Sequence, residues 1–282
     1  MATAVDPRRV APAAPEPEPK APAPAWGSGG FLAEMGELVS FSMATWRALP
    51  GSVKYLSEAL RHAARMVYGT SPLMFIMYVF MGIVTMNTGY FLLFPLGAAD
   101  YLGAIGGFGI HVSAVIMFAY VFTAKVCGGF VAEIGAMRIN QEIDAYESTG
   151  VDPQRFVVGT RILATLMYIP IAAVVGLLGY TAGCYLDAIV ILHATDLAGY
   201  SRFHWSSQGL KDLGFVFTTV ALTGVVTAIT ACFYGMRTRG GPAAVGDAVA
   251  QAVKVNLVLA NLVSAFTVIT WYAVDAGVPI GG

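Results

Sequence analysis

Long runs of hydrophobic residues, separated by short polar stretches, make up most of the chain. Five runs are long enough to cross the roughly 30 Å hydrocarbon core of a bilayer; they lie near 73–94, 111–131, 156–184, 213–234 and 253–274. The third is the longest and contains Pro170, where we expect it to tilt or break. The pattern predicts an all-α integral membrane protein with about five transmembrane helices.

An amphipathic segment precedes the first run. From Val53 onward, apolar residues recur at helical spacing, and the opposite face carries the charged residues Lys54, Glu58, Arg61 and Arg65. This pattern predicts an interfacial helix within residues 31–68, lying in the headgroup plane; the alternative is a soluble helix packed on a partner. Residues 1–30, rich in Pro and Ala, are predicted to be a disordered cytoplasmic tail, which leaves 31–282 as one membrane domain.

Composition supports the membrane assignment and narrows the function. Hydrophobic residues form 57% of the chain and charged residues 12%, against about 25% charged residues in soluble domains. The net charge of −1 gives no basic surface for nucleic acid. No P-loop, HExxH or GxSxG motif occurs, and the cysteines and histidines lack ligand spacing, so we expect no catalytic residue, metal or cofactor in this chain.

Basic residues in the short connections predict the orientation. They precede the first span and recur between the second and third spans and between the fourth and fifth: Arg47, Lys54, Arg61, Arg65, Arg138, Arg155, Arg237 and Arg239. Cytoplasmic loops are enriched in Lys and Arg, so these connections and the N-terminus are expected to be cytoplasmic.

The connection "EIGAMRINQEIDAYESTGVDP" (133–153) is rich in carboxylates although it joins two apolar runs. Ile139, Ile143 and Tyr146 are spaced to form one apolar stripe on a short helix, which Gly150 and Pro153 should end. A helix with an apolar stripe and flanking carboxylates suits docking in a groove of another protein. The alternative is a solvated helix that only joins two spans.

This connection, with the preceding Ala132, resembles the first cytoplasmic loop of the MlaE/YrbE permease family. Its matching positions include Glu133, Gly135, Met137, Arg138, Glu142, Asp144, Ala145 and Gly150. A second segment, "YGMRTRGGPAAVGDAVAQAV" (234–253), is similar to the family's second cytoplasmic loop through residues that include Gly240, Gly241, Pro242 and Gly246. The tail and the double glycine are most similar to the actinobacterial YrbE branch.

The resemblance implies an MlaE-like permease fold, with an interfacial helix and five spans, in the inner or plasma membrane of a bacterium. It implies an MCE-type ABC transporter that imports a fatty acid, mycolic-type lipid, sterol or phospholipid. Two permeases would pair beside a cytoplasmic ATPase dimer, which binds ATP and Mg, beneath a tube of MCE proteins. The first loop would be the coupling helix, with its carboxylates against the ATPase. A lipid pocket at the dimer centre would use the first and fifth spans, which makes Met77, Tyr78, Met81 and Phe266 candidates.

The chain also departs from the family pattern. Many relatives begin the second span with a basic residue and a glutamate, whereas this chain has His111 without an acidic neighbour, which favours a heterodimer with a second YrbE-type permease. Lys125 stands out as a charge inside a predicted span, and we expect it to reach the cytoplasmic interface or pair with a nearby acid. Asn87, in the first span, is expected to hydrogen-bond a neighbouring helix.

Two other functions remain open at this stage. A non-transporting scaffold would only anchor MCE proteins, and it would not depend on coupling to an ATPase. A secondary transporter would place ionisable or discontinuous-helix sites near the midplane, and the sequence shows neither clearly.

Overall fold

The computed structural model describes residues 30–273, apart from the side chains of 30–32, 112–114 and 273. The predicted tail therefore lies outside the described residues, except for Gly30. The α-helices of the described part are α1 (Gly30–Ser52), α2 (Leu56–Leu93), α3 (Leu102–Phe122), α4 (Gly128–Ile139), α5 (Glu142–Ser148), α6 (Gly159–Tyr185), α7 (Leu197–Ser206), α8 (Leu210–Arg237) and α9 (Pro242–Val268). Four π-helical turns extend or join them: Thr123–Cys127, Gln154–Val158, Leu186–Ile191 and Ile269–Ala273.

Within the described residues, five helical stretches are long and apolar enough to span a membrane: Ala33–Leu96, Val115–Ile139, Gln154–Ile191, Leu210–Arg237 and Pro242–Tyr272. This confirms the predicted all-α fold of a multi-pass membrane protein. The connections after α4 and after α8 lie at one end of the bundle, which we call the two-loop end. The connections after α2 and around α7 lie at the opposite end.

Some helix boundaries differ from those predicted. A short 3-10 helix at Val53–Tyr55 joins α1 to α2. α2 then continues without a break through the predicted boundary between the interfacial helix and the first span. Pro72 lies inside α2 without interrupting it, and the neighbouring Ser71 hydroxyl lies 3.2 Å from the Tyr168 hydroxyl of α6. Pro170 likewise lies inside α6 without ending it. Whether α1 lies at a membrane interface stays a prediction.

The closest helix pair is α2 with α6, which run parallel and touch through glycines. A Cβ atom on Gly179 would come within 2.7 Å of the Phe75 carbonyl oxygen, and one on Gly183 would overlap the Val79 carbonyl. Small residues let helix backbones approach closely where apolar lipid removes the hydrophobic drive for association. The close approach brings the Asn87 amide to 2.8 and 2.9 Å from the two carboxylate oxygens of buried Asp187, which confirms the packing role predicted for Asn87.

A second contact region joins α4, α8 and α9. Asn256 on α9 is fully buried and donates hydrogen bonds to Thr123 (2.6 Å) and Thr227 (3.1 Å). Thr123 begins the π-helical turn between α3 and α4, whereas Thr227 lies on α8. One amide thus connects three helical stretches, as polar side chains commonly do between transmembrane helices.

At the opposite end, α7 packs on a glycine face of α3. Gly103 and Gly106 face the backbone and side chain of Tyr200, so α7 lies directly on the α3 backbone. His204 is fully buried there, and burial lowers its pKa to about 4, which keeps the imidazole neutral at pH 7.

The α2–α6 contact makes Gly183 sensitive to any side chain. We expect Gly183→Ala to lower the free energy of unfolding by about 1–3 kcal/mol, because the new methyl group overlaps a backbone carbonyl that cannot rotate away. Denaturant unfolding in detergent measures the change. Gly36→Ala is the matched control, since a Cβ there meets nothing within 4 Å; equal stability of the two variants would contradict the close packing.

Candidate functional site

The acidic connection at the two-loop end consists of two helices rather than one. α4 ends at Ile139, Gln141 adopts a left-handed conformation with φ of +60°, and α5 begins at Glu142. Gly150, with φ of +79°, follows α5 in a conformation that suits glycine, as predicted for the helix stop. The predicted helix therefore spans only Glu142–Ser148, and the residues before the turn belong to α4.

The apolar stripe of α5 faces its own chain. Ile143 is fully buried, and the Tyr146 ring packs against the Phe156 ring with centroids 5.0 Å apart. Ile143 is therefore covered by its own chain and does not face a partner, whereas Ile139 and Tyr146 are half-buried, so docking of this helix on another protein stays a prediction. The outward side of α5 instead carries short and acidic residues, all exposed: Glu142, Asp144, Ala145 and Glu147.

Glu133 forms the main ion pair of the region, and its partner lies inside the chain. Its carboxylate lies 2.9 Å from Arg161 on α6 and 3.7 Å from Arg65 on α2. The Arg161 side chain is only 3% exposed and also donates to the Val157 carbonyl at 2.9 Å. Glu133 therefore joins α4 to α6, while its side chain remains 38% exposed, so the contact with a partner that the resemblance implies stays a prediction.

Arg161 lies within the predicted third span but was not among the predicted site residues. The signal was present, since an arginine inside an apolar run is rare and normally has a partner. Its position near the start of the run also resembles an ordinary interfacial arginine. Only the packing of α4 against α6 shows that Glu133 is the partner.

Arg138 and Asp144 hold α5 against α4. The Arg138 guanidinium donates to Asp144 at 2.6 Å, across the turn at Gln141. The Asp144 side chain is 58% exposed, so this pair lies at the surface and contributes little stability. Together with buried Ile143, it sets the direction in which the acidic side of α5 faces.

The second predicted loop packs against the first. Gly135 on α4 lies beside Thr238 and Val245, so that a Cβ atom at Gly135 would come within 3.2 Å of the Thr238 hydroxyl and 3.3 Å of a Val245 methyl. Gly240 adopts a φ of +109°, which glycine alone tolerates readily, and Pro242 then starts α9 in its first turn. Residues of both motifs thus form one continuous structure at the two-loop end.

The remaining predicted positions of the two loops differ in their exposure. A Cβ atom at Gly241 or Gly246 meets nothing within 4 Å, so the start of α9 presents an open surface. Met137 is half-buried, with its sulfur 3.7 Å from an Arg161 amino nitrogen.

α1 packs on the end of α8 at the two-loop end: the Tyr234 hydroxyl donates to Glu34 at 2.7 Å, and Arg237 pairs with Glu37.

A cluster at the opposite end supplies the acid that His111 lacks in the sequence. Nε2 of His111 lies 2.8 Å from a carboxylate oxygen of Asp212 on α8, and the Tyr272 hydroxyl donates to the same oxygen at 2.9 Å. The sequence places no acidic residue beside His111, and the fold supplies the carboxylate from a helix about a hundred residues later. His111 and Tyr272 line a largely apolar cavity of about 640 Å³ between α3, α8 and α9.

The four candidates for a lipid pocket do not share one environment. Tyr78 is 2% exposed and packs against Gly176 of α6. Met81 is half-buried, whereas Met77 (37%) and Phe266 (65%) are exposed. Phe266 lies on α9, which packs mainly on α3, α4 and α8 rather than on α2. A pocket that joins the first and fifth spans therefore stays a prediction, and Tyr78 does not line open space in this chain.

The described residues contain no group of three or more His, Cys, Asp or Glu side chains arranged to hold a metal ion.

The family model described as Permease MlaE matches residues 59–270, which include both loops and all of α3 to α8. The chain belongs to the MlaE permease family. The MlaE match begins just inside α2, so α1 lies outside it.

Named relatives agree with the MlaE assignment. A probable ABC transporter permease protein of Synechocystis is 31% identical over 156 residues, covering 54% of this chain and 57% of the relative. One from Rickettsia felis is 22% identical over 240 residues, covering 84% and 92%. The protein trigalactosyldiacylglycerol 1 of Arabidopsis thaliana is 24% identical over 162 residues, covering 55% and 45%. The matched segment spans about half the length of the Synechocystis and Arabidopsis proteins.

The Glu133–Arg161 pair yields a stability prediction for this MlaE-family chain. Glu133→Gln should lower the free energy of unfolding by about 1–3 kcal/mol, because it leaves a buried guanidinium without a carboxylate. Asp144→Asn, which breaks an exposed pair, should cost less than about 1 kcal/mol. Unfolding in detergent compares the two; a larger loss in Asp144→Asn would show that Glu133 is not the anchor.

Proposed function

We propose that the chain is the membrane permease subunit of a lipid ABC transporter, and that α5 is the helix through which a separate ATPase drives it. The observation that carries the proposal is the exposed acidic side of α5, held outward by Ile143 and by the Asp144–Arg138 pair. A negatively charged, firmly attached helix suits an ATPase groove lined by basic and polar groups. ATP and Mg would be bound by that partner ATPase dimer.

The distribution of basic residues supports a cytoplasmic position for the two-loop end. Most of the arginines and lysines of the described residues lie near this end, among them Arg47, Lys54, Arg61, Arg65, Arg138, Arg155, Arg237 and Arg239. The connections at the opposite end carry only Arg202 and Lys211 among the described residues. By the positive-inside rule, the two-loop end faces the cytoplasm, where an ATPase would be, and the N-terminus lies on the same side.

The helix connections provide a mechanical route from α5 to the apolar cavity. α5 is attached to α4, and α4 continues through the π-helical turn into α3, so one helical rod of 38 residues runs from Leu102 to Ile139. The far part of this rod lines the cavity at His111 and Val115. A push on α5 when the ATPase closes would shift or rotate the rod and change the shape of the cavity, without making or breaking bonds in the cargo.

A lipid cargo fits the apolar surfaces of the chain. The cavity of about 640 Å³ lies within the range of roughly 300–1,000 Å³ found for ligand sites. Large apolar residues on α9 are also exposed, among them Val258, Leu262 and Phe266, and a second permease could cover them. The name of the Arabidopsis relative is that of a diacylglycerol lipid, which further favours lipid.

The remaining assembly is proposed by family resemblance. A second YrbE-type permease would pair with this chain, and MCE proteins would receive or deliver lipid at the opposite end, in the direction of import across the envelope of a bacterium. The His111–Asp212 pair weakens one argument for a heterodimer, because this chain supplies its own acid at that place.

Reversing the charge on α5 tests the proposal. In the assembled transporter, Glu142→Lys with Glu147→Lys should abolish lipid-stimulated ATP hydrolysis and lipid uptake, because the exposed acidic side would repel a basic groove. Asp100→Lys is the control, since Asp100 is an exposed acid at the opposite end. ATPase rates in nanodiscs and uptake of labelled lipid are the measurements.

The same experiment separates transporter from scaffold. If the α5 variant keeps wild-type uptake and ATP hydrolysis while MCE proteins still co-purify, α5 does not couple the ATPase and the chain acts as an anchor. Transport that persists without ATP hydrolysis would favour a secondary transporter instead.

A further inference from the structure

A cleft with charged residues in its lining opens between α2 and the α3–α4 rod on the two-loop side of the bundle. It has a volume of about 380 Å³, within the range of ligand sites. Arg65 and Gly69 of α2 face Lys125, Gly129 and Glu133 of the rod across it. A Cβ atom on Gly69 or Gly129 would meet nothing within 4 Å, so the two glycines leave the cleft open in its middle.

The cleft carries an excess of positive charge. Glu133 is its only lining carboxylate among the described residues, and Arg161 already binds it at 2.9 Å from behind. Arg65 reaches carboxylates only at 3.6 Å (Glu58) and 3.7 Å (Glu133), and its side chain is 55% exposed. Lys125 is exposed and forms no ion pair with any described residue.

The position of Lys125 makes this lack of an anion significant. It lies on the π-helical turn inside the apolar stretch Val115–Ile139, eight residues before Glu133, which corresponds to about 12 Å along the helix. A bare ammonium at this depth is costly in hydrocarbon, so such a group reaches the interface or finds a counter-charge. The cleft gives Lys125 a path to the interface, because it connects the residue with the charged layer at Arg65 and Glu133, but none of the described carboxylates pairs with it.

An apolar track continues from the cleft along α2. Leu73, Ile76 and Phe80 follow Gly69 at i+4, i+7 and i+11, so they share its face of the helix. All three are exposed, by 43%, 52% and 60% of their surface. A molecule with an anionic head and long apolar chains matches this combination, whereas a free inorganic anion would leave the track uncovered.

We propose that this cleft binds the phosphate of an anionic phospholipid from the adjacent leaflet. Lys125 and Arg65 donate to the phosphate oxygens, Gly69 and Gly129 make room for the head group, and the acyl chains lie along Leu73, Ile76 and Phe80. The site requires only that the chain be embedded in a membrane, so it stands whether or not the chain transports lipid.

Native mass spectrometry of the purified full chain, titrated with phosphatidylglycerol or phosphatidylcholine, tests the site. We expect phosphatidylglycerol to bind more tightly, and Lys125→Gln with Arg65→Gln to weaken its binding by at least about tenfold and to remove its advantage over phosphatidylcholine, whose phosphate charge is offset by the choline ammonium. Arg61→Gln is the matched control, because Arg61 is 74% exposed on α2 and does not line the cleft. Equal weakening by the control, or no preference for phosphatidylglycerol in the wild type, overturns the proposal.

Two further measurements test whether the loss of binding comes from misfolding and whether the site prefers a lipid phosphate to free phosphate. Gly69→Leu keeps both cations and fills open space, so it should also weaken phosphatidylglycerol binding without lowering the melting temperature. Full retention of phosphatidylglycerol by this variant would contradict the site. Millimolar inorganic phosphate should displace little of the lipid; complete displacement would show a site for free anions and overturn the lipid assignment.

Discussion

The ion pair between Glu133 and Arg161 is the constraint on which the two-loop end depends. A guanidinium that is 3% exposed cannot remain charged at low cost without a carboxylate, and Glu133 is the carboxylate that reaches it. The pair ties α4 to α6, and α6 in turn is held to α2 by the glycine contact. The position of α4 then determines where α5 lies, because Ile143 and the Arg138–Asp144 pair attach the short helix to it.

The acidic residues of the first loop therefore have two different roles, although in the sequence they look like one group. Glu133 works inside the chain, where it holds helices together, whereas Glu142, Asp144 and Glu147 face outward. A substitution at Glu133 therefore reports on the fold, and only changes on the outer side of α5 report on a partner. The two loops of this chain also pack against each other, because Gly135 leaves room for Thr238 and Val245.

Run lengths and helical spacing were enough to predict the all-α fold, the number of spans and the place of both loops. The MlaE family followed from the loop residues. Helix boundaries were less predictable, since Pro72 and Pro170 lie inside α2 and α6 without ending them. The stripe of Ile143 and Tyr146 showed that α5 is amphipathic but not which surface covers it.

The partners of Arg161 and His111 were missed for a related physical reason. Each lies far along the chain, at Glu133 and at Asp212, and becomes a neighbour only when the spans pack. A charge inside an apolar run indicates that a partner exists, and the fold identifies it. Lys125 is the exception among these charges, because the described chain brings no carboxylate into contact with it.

The most direct test of the account is a cryo-EM structure of the chain assembled with its ATPase. We expect Glu142, Ala145 and Glu147 to be buried against the ATPase, while Ile143 still packs on its own spans and Glu133 still pairs with Arg161. A structure in which α5 remains in solvent, or in which α5 rotates so that Ile143 contacts the ATPase, would contradict this proposal.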